Sequence, residues 1–231
     1  MKTPLTPDQV EALRHLDACT IANTIETFQL RLRNEGFSDG SIRCLFPRLR
    51  PMVGYAATVQ IRGASPPTGA HAYLERTDWW DYIQSVSAPR VVVVQDISSQ
   101  PGLGALLGEV HVNILRALGC IGAVTNGAVR DLPAVEGLAF PFFAGNPSVS
   151  HSFVHIVSIG TPVTIGGLNI KSGDLLHGDL HGIQSIPPEI ADTLPAAAAQ
   201  IIAQERALIA LCCSNDFSLQ KLRAALTKSR A

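Results

Sequence analysis

Residues 89–96 read PRVVVVQD, four consecutive valines held between an arginine and a Gln-Asp pair. A β-branched run without polar alternation has no face to offer water, so it predicts a central strand covered on both sides. A second such run, CIGAVTNG (120–127), follows after ISSQPGLGALLGEVHVNILRALG (97–119). The glycine-rich front of the intervening segment opens a helix over 104–111, whose periodicity runs to Gly119. Strand, helix and strand in that order imply parallel strands joined by a right-handed crossover.

The flanking segments extend this α/β pattern. TPDQVEALRHLDACTIANTIETF begins with Thr6 as N-cap and Pro7 at N1, predicting one or two helices. VGYAATVQIRG (53–63) reads as a strand, and TDWWDYIQSVSA (77–88) as a short helix capped by Thr77. RDLPAVEGL (130–138) forms a helical turn leading to the strand FPFFA. Beyond residue 150, FVHIVSI, TPVTIGGLNI, GDLLHGD and GIQSIP are short β segments broken by Gly and Pro, as in a meander or small barrel. A long helix from the PPEIADTLP region and a final polar helix end the chain. One domain over 1–231 is expected, with its core at about 15–205 and a C-terminal helical extension.

Charged residues make up only 16% of the chain against 46% apolar, and the net charge is −1. This balance excludes a disordered protein and argues against a nucleic-acid or membrane-surface binder, which would carry a basic patch. So little charge also predicts apolar surface covered by other subunits. The five cysteines, Cys19, Cys44, Cys120, Cys212 and Cys213, are odd in number and form no CxxC, so reduced and mostly buried thiols are expected. No signal-like segment or apolar run of membrane length occurs, and a soluble cytoplasmic protein is the expectation.

Gly102, Gly104 and Gly108 form GxGxxxG, but the first glycine is too far beyond the strand to form a dinucleotide-binding turn. What survives is a helix N-terminus able to attract a small anion. The loops after parallel strands share one rim of the sheet, so Glu109 and the pair Arg130–Asp131 are expected to meet there. They form either a salt bridge steadying two loops or a pocket with a guanidinium for a carboxylate and two acids for a hard cation. His111 shares that helix and is expected near the rim. His177, Asp179 and His181 have metal-ligand spacing but are read as a structural turn at Gly178. His151 and His155 are assigned to a subunit contact. No GxSxG occurs and no lysine is placed for a Schiff base, so carbonyl chemistry here would need a metal as electrophile.

The segment GEVHVNILRALGCIGAVTNGAVRDLPAVEGLAFPFFA resembles the core of the RraA-like family, which includes regulators of ribonuclease activity and class II 4-hydroxy-4-methyl-2-oxoglutarate aldolases. The family pattern places an acidic residue or glycine, twenty residues, then Arg-Asp, and an acid five positions later. Here these are Glu109, residues 110–129, Arg130–Asp131 and Glu136. GYAATV and TPVTIGGLNIKSGDLLHGDLHGIQSIP fit its flanking β regions. The chain differs from the pattern at Asn126, where many members have Asp, at Ala22–Asn23, where Ser-Asp is frequent, and at His111, often aliphatic.

The resemblance implies a layered α/β domain of the swivelling β/β/α type and a homotrimer or hexamer. It implies a divalent-metal-dependent lyase that releases pyruvate from a small 4-hydroxy-2-oxo dicarboxylic acid or decarboxylates oxaloacetate. Asp131 would bind Mg2+ or Mn2+ directly or through water, Glu109 would hold one of those waters, and Glu136 would stand behind them. Arg130 and the backbone of Gly108, Glu109, Val110 and His111 would hold the 2-oxo acid, with an enolate stabilised by the metal. Arg130, Asp131 and Glu109 would be the catalytic set. The alternative within the same family is a non-catalytic regulator that binds a ribonuclease.

Overall fold

The computed structural model describes residues 3–67 and 77–228. Helices α1 (Pro7–Arg14) and α2 (Ala18–Thr27) come first, then β1 (Arg43–Cys44) and β2 (Met52–Arg62). Next are α3 (Thr77–Ser85), β3 (Arg90–Asp96), β4 (Ala105–Leu107), α4 (Glu109–Ala117), β5 (Cys120–Val129), α5 (Leu132–Gly137) and β6 (Phe142–Pro147). Five short strands follow: β7 (His155–Ile159), β8 (Val163–Ile165), β9 (Leu168–Ile170), β10 (Leu175–Asp179) and β11 (Gly182–Ile186). Helices α6 (Leu194–Cys212) and α7 (Leu219–Lys228) close the chain. Thr6 caps α1 in a reciprocal capping box with Gln9, satisfying two backbone donors at that end.

The main sheet runs β1-β6-β5-β3-β2-β10-β11, with β4 also paired to β5 and β7 to β2. Its centre, β2-β3-β5-β6, is parallel, and β1, β7, β10 and β11 join antiparallel. Alternate side chains of β3 explain the valine run. Val92 and Val94 enter a core shared with Leu13, Ile21, Ile83, Val112 and Leu115 of the helices. Val91 and Val93 point the other way, into a second core closed by Val163, Ile165, Leu168 and Ile170 of the β8–β9 hairpin. A strand with period-2 side chains and apolar layers on both faces needs valine at every position. The result is the β/β/α layering that the family resemblance implied. Helix α6 packs on α2 but buries only Leu194 and Ala198.

Several boundaries differ from the sequence reading. Helix α4 starts at Glu109, not at residue 104, because Ala105–Leu107 pair in parallel with the end of β5. Strand β5 continues to Val129 instead of ending at residue 127; its partner changes from β3 at Thr125 to β4 at Ala128. Thr77 is the first helical residue described in α3, not its cap. The turn between β10 and β11 falls after Asp179, and Gly178 lies within the strand. All five cysteines are free, but only Cys120 is buried; Cys44 is partly covered and Cys19, Cys212 and Cys213 are exposed. Among the described residues, no helix is long and apolar enough to cross a membrane.

Candidate active site

Strand β5 delivers Arg130 and Asp131 directly at its carboxyl end, while β4, lying beside it, delivers Gly108 and the first turn of α4. The Arg130 N–H donates to the Leu107 carbonyl at 2.9 Å, extending the β4–β5 pairing by one step. Asp131 then takes a left-handed backbone conformation, φ 57° and ψ 37°, which Asp tolerates better than most residues. That turn sends its carboxylate back towards α4. Oδ2 accepts the Glu109 N–H at 3.0 Å, and Oδ1 accepts from Arg130 Nε at 3.2 Å.

One expectation about this rim therefore holds in geometry, and two alter. The Glu109 main chain, Arg130 and Asp131 do meet. The anion at the α4 N-terminus, however, is the chain's own: Asp131 occupies the Glu109 amide expected to hold substrate. Asp131 precedes α5 in the N-cap position yet makes no side-chain cap there, because its oxygens are turned to α4 and Arg130. The close approach requires a glycine at 108, since a Cβ would lie 2.5 Å from Asp131 Oδ2 and 2.8 Å from Arg130 Cγ. The Arg–Glu bridge, one of the two alternatives, is replaced by an Arg130–Asp131 pair.

The Glu109 N–H is the main cause that holds the Asp131 carboxyl below the usual carboxylate range, with Arg130 adding to it and partial desolvation opposing it. Asp131 is thus ionised near neutral pH while its side chain remains about a third exposed. Arg130 spends only Nε on it, leaving both terminal nitrogens without a partner among the described residues. Arg130 lines a cavity of about 440 Å³ together with Asp131, Leu132, Pro147, Ser148 and Val149. The last three, at the end of β6 and just beyond it, were missed in the sequence; their position after a parallel neighbour of β5 places them on the same rim.

A hard divalent cation fits this donor set in one particular way. Among the described residues no three His, Cys, Asp or Glu side chains converge as a cage. Mg2+ and Mn2+ do not require one, since a single ionised carboxylate with retained water is a common mode for Mg2+. Asp131 is such a carboxylate. The Glu109 and Glu136 side chains are exposed on α4 and α5, and neither is tied to Asp131 by a hydrogen bond of its own carboxylate.

The remaining candidates separate from this cluster. Only the backbone of His111 belongs to the α4 terminus: its ring is 6% exposed and packs against Trp79, with centroids 6.3 Å apart. Burial pushes its pKa down to about 4, so it adds no cation to the rim. Val110 is exposed beside Glu109. Asn126 is not a site residue. Its Oδ1 accepts the Asp96 N–H at 2.7 Å and its Nδ2 donates to the Asp96 carbonyl at 3.0 Å, replacing strand pairing where β3 and β5 part. Asp96, also unnoticed in the sequence, is buried and accepts the Ser98 and Gly102 N–H groups, fixing the glycine-rich loop. Asn23 reaches Glu205 Oε1 at 3.4 Å and joins α2 to α6.

The His-Asp-His segment is structural, as expected. Asp179 Oδ2 accepts the Ala18 N–H at the start of α2 and Oδ1 accepts the His181 N–H, while buried His177 has Nε2 3.0 Å from the Leu16 carbonyl. His151 Nδ1 lies 2.7 Å from the Ala105 carbonyl, and His155 Nδ1 2.8 Å from the Phe153 carbonyl.

Comparison with known proteins adds family and fold. A protein of Halalkalibacterium halodurans named "Putative 4-hydroxy-4-methyl-2-oxoglutarate aldolase" is 31% identical over 137 residues, 59% of this chain and 60% of that one. A protein of Methanocaldococcus jannaschii is 26% identical over 133 residues, 56% and 64% of the two chains. The chain therefore spans less than two thirds of the length of these curated relatives. Among solved structures, a Pseudomonas syringae protein superposes with a TM-score of 0.73 at 23% identity, covering 96% of this chain and 95% of that one. Streptomyces coelicolor RraAS2, described as an unusual member of the RNase ES inhibitor RraA protein family, gives 0.70 at 21% identity, covering 89% and 98%. These two likenesses speak to the fold. The model of a family described as "RraA-like: Aldolase/RraA" matches residues 17–184, a span that includes Gly108, Glu109, Arg130, Asp131 and Glu136, and the chain belongs to that family.

Proposed function

We propose that the protein is a divalent-metal-dependent lyase that releases pyruvate from a small 4-hydroxy-2-oxo dicarboxylic acid, with oxaloacetate decarboxylation as a companion reaction. The observation that carries this reading is the doubly held Asp131 carboxylate, gripped by the Glu109 amide and Arg130 Nε at the mouth of a cavity. The name of the Halalkalibacterium halodurans relative supports the same chemistry.

In this reading the terminal nitrogens of Arg130 pair with the C1 carboxylate of the substrate in a two-pronged bond. Asp131 would hold Mg2+ or Mn2+, which would supply an electrophile for the 2-oxo group. Gly108 keeps the α4 terminus close enough to fix the Asp131 carboxylate before substrate arrives, so little reorganisation remains. Retro-aldol cleavage removes the proton of the 4-hydroxyl and breaks C3–C4, and the electron pair passes into the 2-oxo group. A proton returned to C3 completes pyruvate. Glu109 and Glu136, the exposed acids of α4 and α5, are the groups available to move these protons through water.

The test is a pyruvate-release assay on metal-stripped protein with a panel of 4-hydroxy-2-oxo acids and oxaloacetate. Turnover should be absent until Mg2+ or Mn2+ is added. Absence of turnover in the metal-loaded protein overturns the reading. A stoichiometric ribonuclease complex without turnover would put the regulator in its place.

A further inference from the structure

We propose that the cavity between α2 and the β10–β11 hairpin is a second binding site, for a small organic cation with an ammonium head and a short apolar tail. It is independent of the lyase reading and lies at the other end of the sheet. Strand β10 reaches it where Gly178 pairs with Met52, the first residue of β2, whereas Arg130 and Asp131 follow the carboxyl end of β5. The cavity holds about 160 Å³, and Ala18, Cys19, Ala22, Phe37, Ile183 and Gln184 are among its walls. One water needs only about 10–15 Å³ of such space, so a molecule of several heavy atoms can enter.

The wall carries an unmet demand for a donor. Gln184 is 3% exposed, and its Nε2 donates to the carbonyl of Ala18, another lining residue, at 2.7 Å. The amide cannot be turned over, because Oε1 would then face that carbonyl oxygen. As placed, Oε1 is buried without a hydrogen-bond partner, which costs stability until something donates to it. Its cross-strand neighbour His177 repeats the pattern: Nε2 faces the Leu16 carbonyl, and buried Nδ1 has no partner. The charge nearby has the sign that suits a cation. Burial, and then the carboxylates of Asp17 and Asp179, raise the pKa of Cys19 on the wall, so both acids act on this space. Asp179 accepts the Ala18 and His181 N–H groups, which fixes it beside the cavity. His181, also in the lining, has Nδ1 3.2 Å from Asp179 Oδ1. The cation Arg31 donates to the Ser185 carbonyl and hydroxyl and does not line the cavity. Ala18, Ala22, Phe37 and Ile183 leave their apolar surface to a short alkyl chain.

The experiment is calorimetric titration with n-butylamine, which is an ammonium ion near pH 7, beside 1-butanol and butyrate as neutral and anionic matches. Saturable one-to-one binding of butylammonium is expected, at least about tenfold tighter than either match, the ratio for one charge-assisted hydrogen bond. Ala22→Phe, which fills the cavity and leaves the Gln184 amide in place, should abolish it with the circular dichroism unchanged. Gln184→Met, which removes the acceptor, should bring butylammonium down to the level of 1-butanol. Asp131→Asn should leave the affinity unmoved, because that carboxylate belongs to the other cavity. No saturable binding, equal binding of 1-butanol, binding that survives A22F, or binding lost in D131N overturns the proposal.

Discussion

The Glu109 main-chain N–H donates to Asp131 Oδ2 at 3.0 Å, joining the first residue of one helix to the residue that precedes the next. The bond spans the whole crossover from α4 through β5. It makes the carboxylate the anion of a helix terminus, and in the proposed reading the same carboxylate is the ligand for a cation; the two roles can be separated by mutation.

Asp131→Asn should keep the left-handed turn, since Asn also tolerates it, and should keep an acceptor for the Glu109 N–H. Thermal stability should change little, while metal affinity and pyruvate release are lost. Asp131→Ala should lose both, with a stability cost of about 1–2 kcal/mol from the hydrogen bond and the backbone conformation. Calorimetric metal titration alongside a denaturation curve reads the difference. The pKa of Asp131 is lowered in the fold, so its contribution is complete above the unfolded value of about 3.9 and fades only as pH falls below it. A loss of metal affinity centred between pH 5 and 8 would assign the cation to another group.

Gly108→Ala should damage the site without a backbone penalty, because its φ of −146° is open to any residue. The added Cβ must displace Asp131 or Arg130. The expected signature is a lower kcat and weaker metal binding with the fold intact by circular dichroism. Unchanged kinetics would show that the close approach is not needed.

Arg130→Lys keeps the charge but removes the planar fork. The KM for a 2-oxo acid should rise about ten- to a hundredfold, the range for losing a charge-assisted pair. Steady-state kinetics with metal present measures it, and a KM within error of the parent would remove Arg130 from substrate binding.

Asn126→Asp would place a carboxylate against the Asp96 carbonyl and lose the donor that satisfies it. A destabilisation of about 2 kcal/mol is expected in urea. The metal dependence of the folded fraction should not move, because Asn126 acts on the β3–β5 junction.

His111 contributes to the acid sensitivity of the fold, as does buried His177, whose pKa burial also lowers. The folded His111 pKa of about 4 lies below the unfolded 6.5, so the unfolded chain binds more protons between those values. Stability is complete above about pH 6.5 and falls by about 3 kcal/mol as pH drops to 4. Urea midpoints at the two pH values should show this, and His111→Leu should make the slope shallower.

The valine run and the helix–strand alternation are local patterns, and they were enough to predict the parallel centre and the meeting of two loops on one rim; the layers followed from the family resemblance carried by the spacing of Glu109, Arg130, Asp131 and Glu136. Period-2 and period-3.6 burial leave their mark on composition, and parallel strands put consecutive loops together whatever their sequence. The roles of Asn126, His111 and the Glu109 amide were not legible in this way. Each depends on a partner far along the chain or on which side of a helix faces the core: Asp96 for Asn126, Trp79 for His111, Asp131 for Glu109. Sequence determined which residues come to the rim, because strand order sets that. Tertiary structure decided which atoms are still free there, because hydrogen bonds formed within the fold use up donors and acceptors before any ligand can reach them.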